Sequence, residues 1–91
     1  MSNIEFLVYE IKQDGDIARV GGIVNKGKIS VGVTFSYVLD KFGEKTSVRL
    51  EVTDIVAYRR QITELPNGMS GELHVIGEGI GLIEKNYMLA N

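Results

Sequence analysis

Ninety-one residues make one domain with a core and not two, and an apolar fraction of 44% is enough to fill that core. The net charge of −2, from ten basic and twelve acidic residues mixed along the chain, argues against a binder driven mainly by phosphate neutralisation. Cysteine is absent, which excludes disulfides, thiolate nucleophiles and cysteine-ligated zinc, and no apolar run approaches the roughly 20 residues of a membrane-spanning helix.

The opening, Met1-Ser2-Asn3-Ile4-Glu5, has neither a basic region nor an apolar signal core, so a cytoplasmic location is expected. From Ile4 to Lys12 the chain alternates as a strand, with Ile4, Phe6 and Val8 on one face and Leu7, Tyr9 and Ile11 on the other. Apolar residues on both faces imply either a strand covered on each side or one that twists between core and surface. Asp14-Gly15 supplies a hairpin dipeptide, because glycine reaches positive φ at little cost.

A second strand is expected over Asp16 to Asn25, interrupted at Gly21-Gly22 by a bulge or a close backbone approach. Lys26-Gly27 turns the chain into Lys28-Ile29-Ser30-Val31, and after Gly32 the segment from Val33 to Leu39 alternates again. Asp40 to Thr46 is polar and reads as an exposed loop. Val48 to Tyr58 is the longest strand-like run, with a phase slip that places a bulge or bend near Thr53-Asp54.

Thr63 to Ser70 holds the only proline and reads as a loop. Gly71 to Ile76 is a short strand with Leu73 and Val75 inward. A glycine-rich turn follows from Gly77 to Gly81, and Tyr87 to Ala90 closes the chain as a strand. Six or seven short strands with glycine turns and no crossover helix predict an all-β fold, a single small antiparallel barrel over residues 1–91. Closure is expected because open edges in so small a sheet invite aggregation.

The stretch from Val20 to Gly32 resembles the signature hairpin of the second domain of translational GTPases, such as elongation factor Tu. Gly22, Val24, Gly27, Ile29 and Gly32 occupy the positions of that pattern. Val52 to Ile55, then Gly71-Glu72-Leu73 and Gly77, resemble the family's later strands, and Tyr87 to Ala90 its closing strand. Val33 departs from the acidic residue often found after the third glycine. The resemblance implies a closed β-barrel of the elongation-factor type without its GTPase domain. In that family the barrel contacts RNA or the ribosome, and in elongation factor Tu it holds the aminoacyl end of transfer RNA. No binding residue carries over to a position here.

Gly77-Glu78-Gly79-Ile80-Gly81 fails as a dinucleotide loop: Leu82 stands where the third glycine belongs, and too few residues follow for a crossover helix. No P-loop is present, and Asn25-Lys26-Gly27-Lys28 lacks the aspartate of a guanine-reading motif, so no nucleotide or other cofactor is expected. His74, the only histidine, shares the outward face with Glu72 and Ile76 and reads as a solvated surface residue. One imidazole with scattered carboxylates makes no zinc site, and Asp14-Gly15-Asp16 is too short a ligand run for a calcium loop. Ser70 lacks the strand–turn–helix setting of a hydrolase serine, and Glu44 and Glu64 stand in loops without a partner. With no nucleophile, base or metal cluster, no enzymatic activity is expected.

The candidate binding residues are Tyr58, Arg59 and Arg60 at the end of the long strand, and Lys26 and Lys28 in a second basic turn. Arginines beside an aromatic suit phosphates and bases, and equally suit carboxylates or cover for apolar surface. Gly22, Gly27, Gly32, Gly71 and Gly77 are expected to serve backbone geometry at turns. The reading is a non-catalytic binding module acting through a protein partner. The alternative is an accessory protein that binds RNA or the ribosome through the patch around Arg59-Arg60.

Overall fold

The computed structural model describes residues 3–91; Met1 and Ser2, with which the expected 1–91 domain opens, lie outside the described residues. Nine strands follow one another: β1 (Glu5–Asp14), β2 (Ile17–Lys26), β3 (Ile29–Ser30), β4 (Thr34–Leu39), β5 (Lys45–Ala57), β6 (Arg60–Ile62), β7 (Glu64–Leu65), β8 (Ser70–Glu78) and β9 (Met88–Ala90). One 3₁₀ turn, Ile80–Leu82, lies between β8 and β9.

The strands pair antiparallel in the order β4-β9-β1-β2-β8-β5, and β5 pairs back onto β4, making a ring of six. The expected all-β barrel is therefore the observed architecture. β6 adds to β5 outside the ring, and β3 and β7 form a separate two-stranded ladder. Among the described residues no helix is long and apolar enough to cross a membrane.

Alternation builds the core, since successive side chains on a strand point to opposite faces. Phe6 and Val8 of β1, Val20 and Val24 of β2, Phe35 of β4, Leu50, Val52 and Ile55 of β5, Leu73 and Val75 of β8 and Leu89 of β9 are all sealed from solvent inside the ring. Each such side chain contributes about 1.5–3 kcal/mol by leaving water. Ile29 of β3 and Leu65 of β7 face each other across their ladder and plug the interior, both fully buried.

Four register shifts adjust the ring's curvature, the first between Glu5 and Phe6 of β1, where Asn25 of β2 is skipped. The register between β5 and β8 shifts between Val52 and Asp54, where the phase slip of the sequence places it. At Gly21-Gly22 the extra residue is on the facing strand: β1 shifts between Val8 and Glu10, leaving Tyr9 unpaired. Gly22 provides the close approach, because a side-chain carbon there would overlap the Leu7 carbonyl oxygen. The same bulge settles the two-faced pattern of β1. Phe6 and Val8 point inward, the phase slips at Tyr9, and Ile11 then packs against the core. The fourth shift lies between Phe35 and Tyr37 of β4.

Several boundaries differ from the sequence expectation. The expected loop Asp40 to Thr46 is shorter, since Lys45, Thr46 and Ser47 pair with Leu39, Val38 and Tyr37 as the start of β5. A neighbouring strand supplies backbone partners whatever the side chains are. The expected loop from Thr63 to Ser70 contains β7 at its start. The expected single run to Tyr58 ends at Ala57, where the chain reverses into β6.

Candidate functional site

The reversal at the end of β5 gathers the first three candidates. Ala57 pairs with Arg60, so Tyr58 and Arg59 alone form the connection. Their φ angles are 54° and 62°, left-handed at two consecutive non-glycine residues. Two-residue hairpins with that backbone match the twist of the strands and are normally built from asparagine, aspartate or glycine. A bulky tyrosine there is an outlier that the surrounding ladder must hold in place. Tyr58 is 77% exposed, and its hydroxyl lies 3.9 Å from Met69 Sδ. Among the described residues neither Arg59 nor Arg60 enters an ion pair, so both guanidinium groups face solvent.

The two lysines are disposed differently. Lys26 ends β2, exposed and opposite Glu5. Lys28 is bound: its Nζ stands 2.6 Å from Glu64 Oε2, because the pairing of β3 with β7 brings the residue just before β3 beside the first residue of β7. The hydrogen bond from Lys28, and then its charge, hold the Glu64 carboxyl below its usual range; the reciprocal effects hold Lys28 above its own. Glu64 thus has the partner that the sequence reading denied it. The expected basic turn shrinks to Lys26.

The glycines divide into two kinds. Gly27 and Gly32 lie between strands at φ of 71° and 96°, as turn residues. Gly22 and Gly71 are not turn residues but strand interiors, in β2 and β8, where the absence of a side chain permits close packing. Gly77 also belongs to β8 rather than to a turn, with φ 124° and its backbone against the Arg49 carbonyl. The segment beyond it forms the 3₁₀ turn Ile80–Leu82 rather than a simple glycine turn.

His74 points outward as expected, yet it is held rather than freely solvated. Its Nε2 lies 3.2 Å from Glu72 Oε2 and its Nδ1 4.0 Å from Asp54 Oδ2, with the side chain 24% exposed. Asp54 arrives from β5, its register partner, which only the sheet pairing reveals. Among the described residues no group of three or more histidine, cysteine, aspartate or glutamate side chains is placed to hold a metal ion.

One exposed residue escaped the sequence reading. Phe42 is 84% exposed in the β4–β5 connection, where Asp40 Oδ1 accepts hydrogen bonds from the Phe42 and Glu44 amides at 2.8 and 2.9 Å. The Asp-x-Phe-Gly-Glu order carried a signal for such a braced turn, since aspartate readily bonds its own following backbone.

These features define an antiparallel β-barrel of the elongation-factor type, presenting an aromatic–arginine turn at one end of its longest strand. Solved structures share that barrel. The apo form of translation elongation factor SelB from Methanococcus maripaludis matches with a TM-score of 0.78 and 19% identity, over 97% of this chain and 18% of that one. The same factor in complex with the GTP analogue GPPNHP matches with a TM-score of 0.77, 19% identity and the same coverage. The chain therefore corresponds to less than a fifth of the factor's length and has the fold of a β-barrel domain of a translational GTPase. No protein-family model matches the sequence, and no curated protein matches it.

Proposed function

We propose that this chain is a non-catalytic binding module with a translation-related role, and that it grips a protein partner with the turn Tyr58-Arg59-Arg60. The observation that carries the reading is the pair of left-handed φ angles at Tyr58 and Arg59. Backbone strain of this kind costs roughly 1–3 kcal/mol per residue and collects at clamps and contact points. Here it presents to solvent an exposed tyrosine and two arginines that enter no ion pair among the described residues. Tyrosine and arginine are, with tryptophan, the residues enriched at the energetic centres of protein interfaces. The likeness of fold to a translation elongation factor supports the process, and fold alone assigns no partner.

RNA or ribosome binding is the second reading, favoured by the same arginines beside an aromatic ring. The Lys28–Glu64 ion pair weighs against it, because it withdraws one of four basic groups from phosphate. Tagged protein is to be purified from cells with and without ribonuclease, beside a variant carrying Arg59→Ala and Arg60→Ala. A partner that survives ribonuclease and is lost with the arginines is the expected result. Binding of transfer RNA or ribosomal RNA fragments at physiological salt, lost in the same variant, would instead establish the RNA reading. Its log–log salt slope would be about −2 to −3 for three basic groups.

A further inference from the structure

The outer wall of the barrel carries an apolar belt that runs toward the Tyr58 turn. Leu39 pairs with Met88, Met88 with Leu7, and Leu7 with Ile23, so four apolar residues stand side by side across β4, β9, β1 and β2. Each flanks a buried residue on its strand: Val38, Leu89, Phe6 and Val24 face the core, so the four point outward. Each is half-buried, and none of the four belongs to the core cluster or packs against it. Solvent-facing positions of an antiparallel sheet are ordinarily polar.

The belt continues in the direction of the turn. Ile23 pairs with Ser70 at the start of β8, and the neighbouring Met69 sulfur is touched by the Tyr58 hydroxyl. Two further strand spacings from Ile23 therefore reach Tyr58, with Arg59 and Arg60 beside it.

We infer that the belt and the turn form one docking surface for an extended protein segment carrying apolar side chains at alternate positions followed by carboxylates. This rests on the proposed function. Dimensions and charge both specify the occupant. Strands lie 4.7–4.9 Å apart, so four of them span about 14 Å. Three apolar side chains at alternate positions of an extended segment, rising about 3.3 Å per residue, cover the same length. The further two spacings to the turn, about 10 Å, correspond to roughly three more residues. Carboxylates at that point meet Arg59 and Arg60, whose guanidinium groups have no acid partner among the described residues and suit bidentate pairing with carboxylates.

The test uses a labelled synthetic peptide of the pattern Leu-x-Leu-x-Leu-x-x-Glu-Glu and its Lys-Lys counterpart, followed by fluorescence anisotropy and by amide chemical shifts of the whole chain. The expected result is binding of the glutamate peptide about tenfold or more tighter than the lysine peptide, with shifts at Leu7, Ile23, Met88, Arg59 and Arg60. Ile23→Glu and, independently, Leu7→Gln should each weaken it by about tenfold or more, with an unchanged amide spectrum away from the site confirming the fold. Equal affinity for both peptides, shifts confined to another face, or no binding would overturn the docking surface. Shifts at the turn alone, untouched by the belt variants, would overturn the belt while leaving the turn as a protein contact. Displacement of the glutamate peptide by an oligoribonucleotide that shifts the turn amides would overturn both.

Discussion

Lys28 Nζ stands 2.6 Å from Glu64 Oε2, two residues 36 positions apart that meet only because β3 and β7 pair. Both side chains are largely exposed, and such pairs contribute little to stability. Their charge states nevertheless set a pH window. The Glu64 carboxyl lies below its usual range, so its contribution is present above the unfolded carboxylate pKa and is lost as pH falls through the folded one. Lys28 lies above its usual range, so its contribution is complete below the unfolded lysine pKa and is lost as pH rises through the folded one. Glu64→Gln should therefore melt slightly below the wild type at neutral pH and coincide with it once carboxylates are protonated. Thermal melts across the acid range check this; a gap that persists unchanged in acid would show that the ion pair is not its cause.

Glycine positions of the same φ sign should differ in cost. Gly27 is left-handed, and a side-chain carbon there would also overlap the Asn3 carbonyl oxygen; Gly43 is left-handed with open space around it. Gly43→Ala should cost about 1–2 kcal/mol for the backbone alone. Gly27→Ala should cost more, and Gly27→Val more again, since β-branching tightens the same clash. Urea unfolding of the three variants gives the order directly. Equal costs would mean that the Asn3 carbonyl moves aside freely.

The Tyr58–Arg59 connection should be replaceable for stability and not for binding. Asn-Gly in its place fits a left-handed two-residue hairpin and should raise stability by about 1–2 kcal/mol. The same exchange removes the exposed ring and one guanidinium, so partner binding should fall. Gain in stability with loss of function is a common pattern at strained sites. A double variant that is no more stable than wild type would show that the turn stores no strain.

Leu73 of β8 is sealed between Ile55 of β5 and Val20 of β2, its register partners on either side. Leu73→Ala should cost about 2–5 kcal/mol, whereas Glu72→Ala on the outer wall should change stability little. Comparable losses at the two positions would contradict the inside–outside assignment of β8.

What was legible in the sequence followed backbone chemistry. Phe6 and Val8, Leu50 and Val52, Leu73 and Val75 alternate because one face is dry, and the phase slip at Thr53-Asp54 marks a true bulge. Gly15, at φ 63°, marks the first hairpin in the same way. The β5–β6 hairpin stayed hidden because Tyr58-Arg59 contains none of the residues that usually announce a tight turn. β3 and β7 have two residues each, too few for a period, so the Lys28–Glu64 contact could not be foreseen. His74 lies on the outward face that alternation gives it, whereas the approach of Asp54 to within 4.0 Å of its Nδ1 depends on strand register, which one sequence does not encode locally.

The ring is joined between β1 and β4 by β9 alone, a strand of three residues. So short a strand holds few main-chain bonds, and it is the weakest hoop in the barrel. Its amides should exchange with solvent deuterium sooner than those of β2 or β8, through local opening that leaves the rest folded. Each opening frees the edges of β1 and β4 together and takes Leu89 away from Phe6 and Val38, its buried partners on either side, turning a ring into a sheet with two ready templates for another chain. Leu89, fully buried at the centre of that hoop, opposes that opening and the self-association it invites.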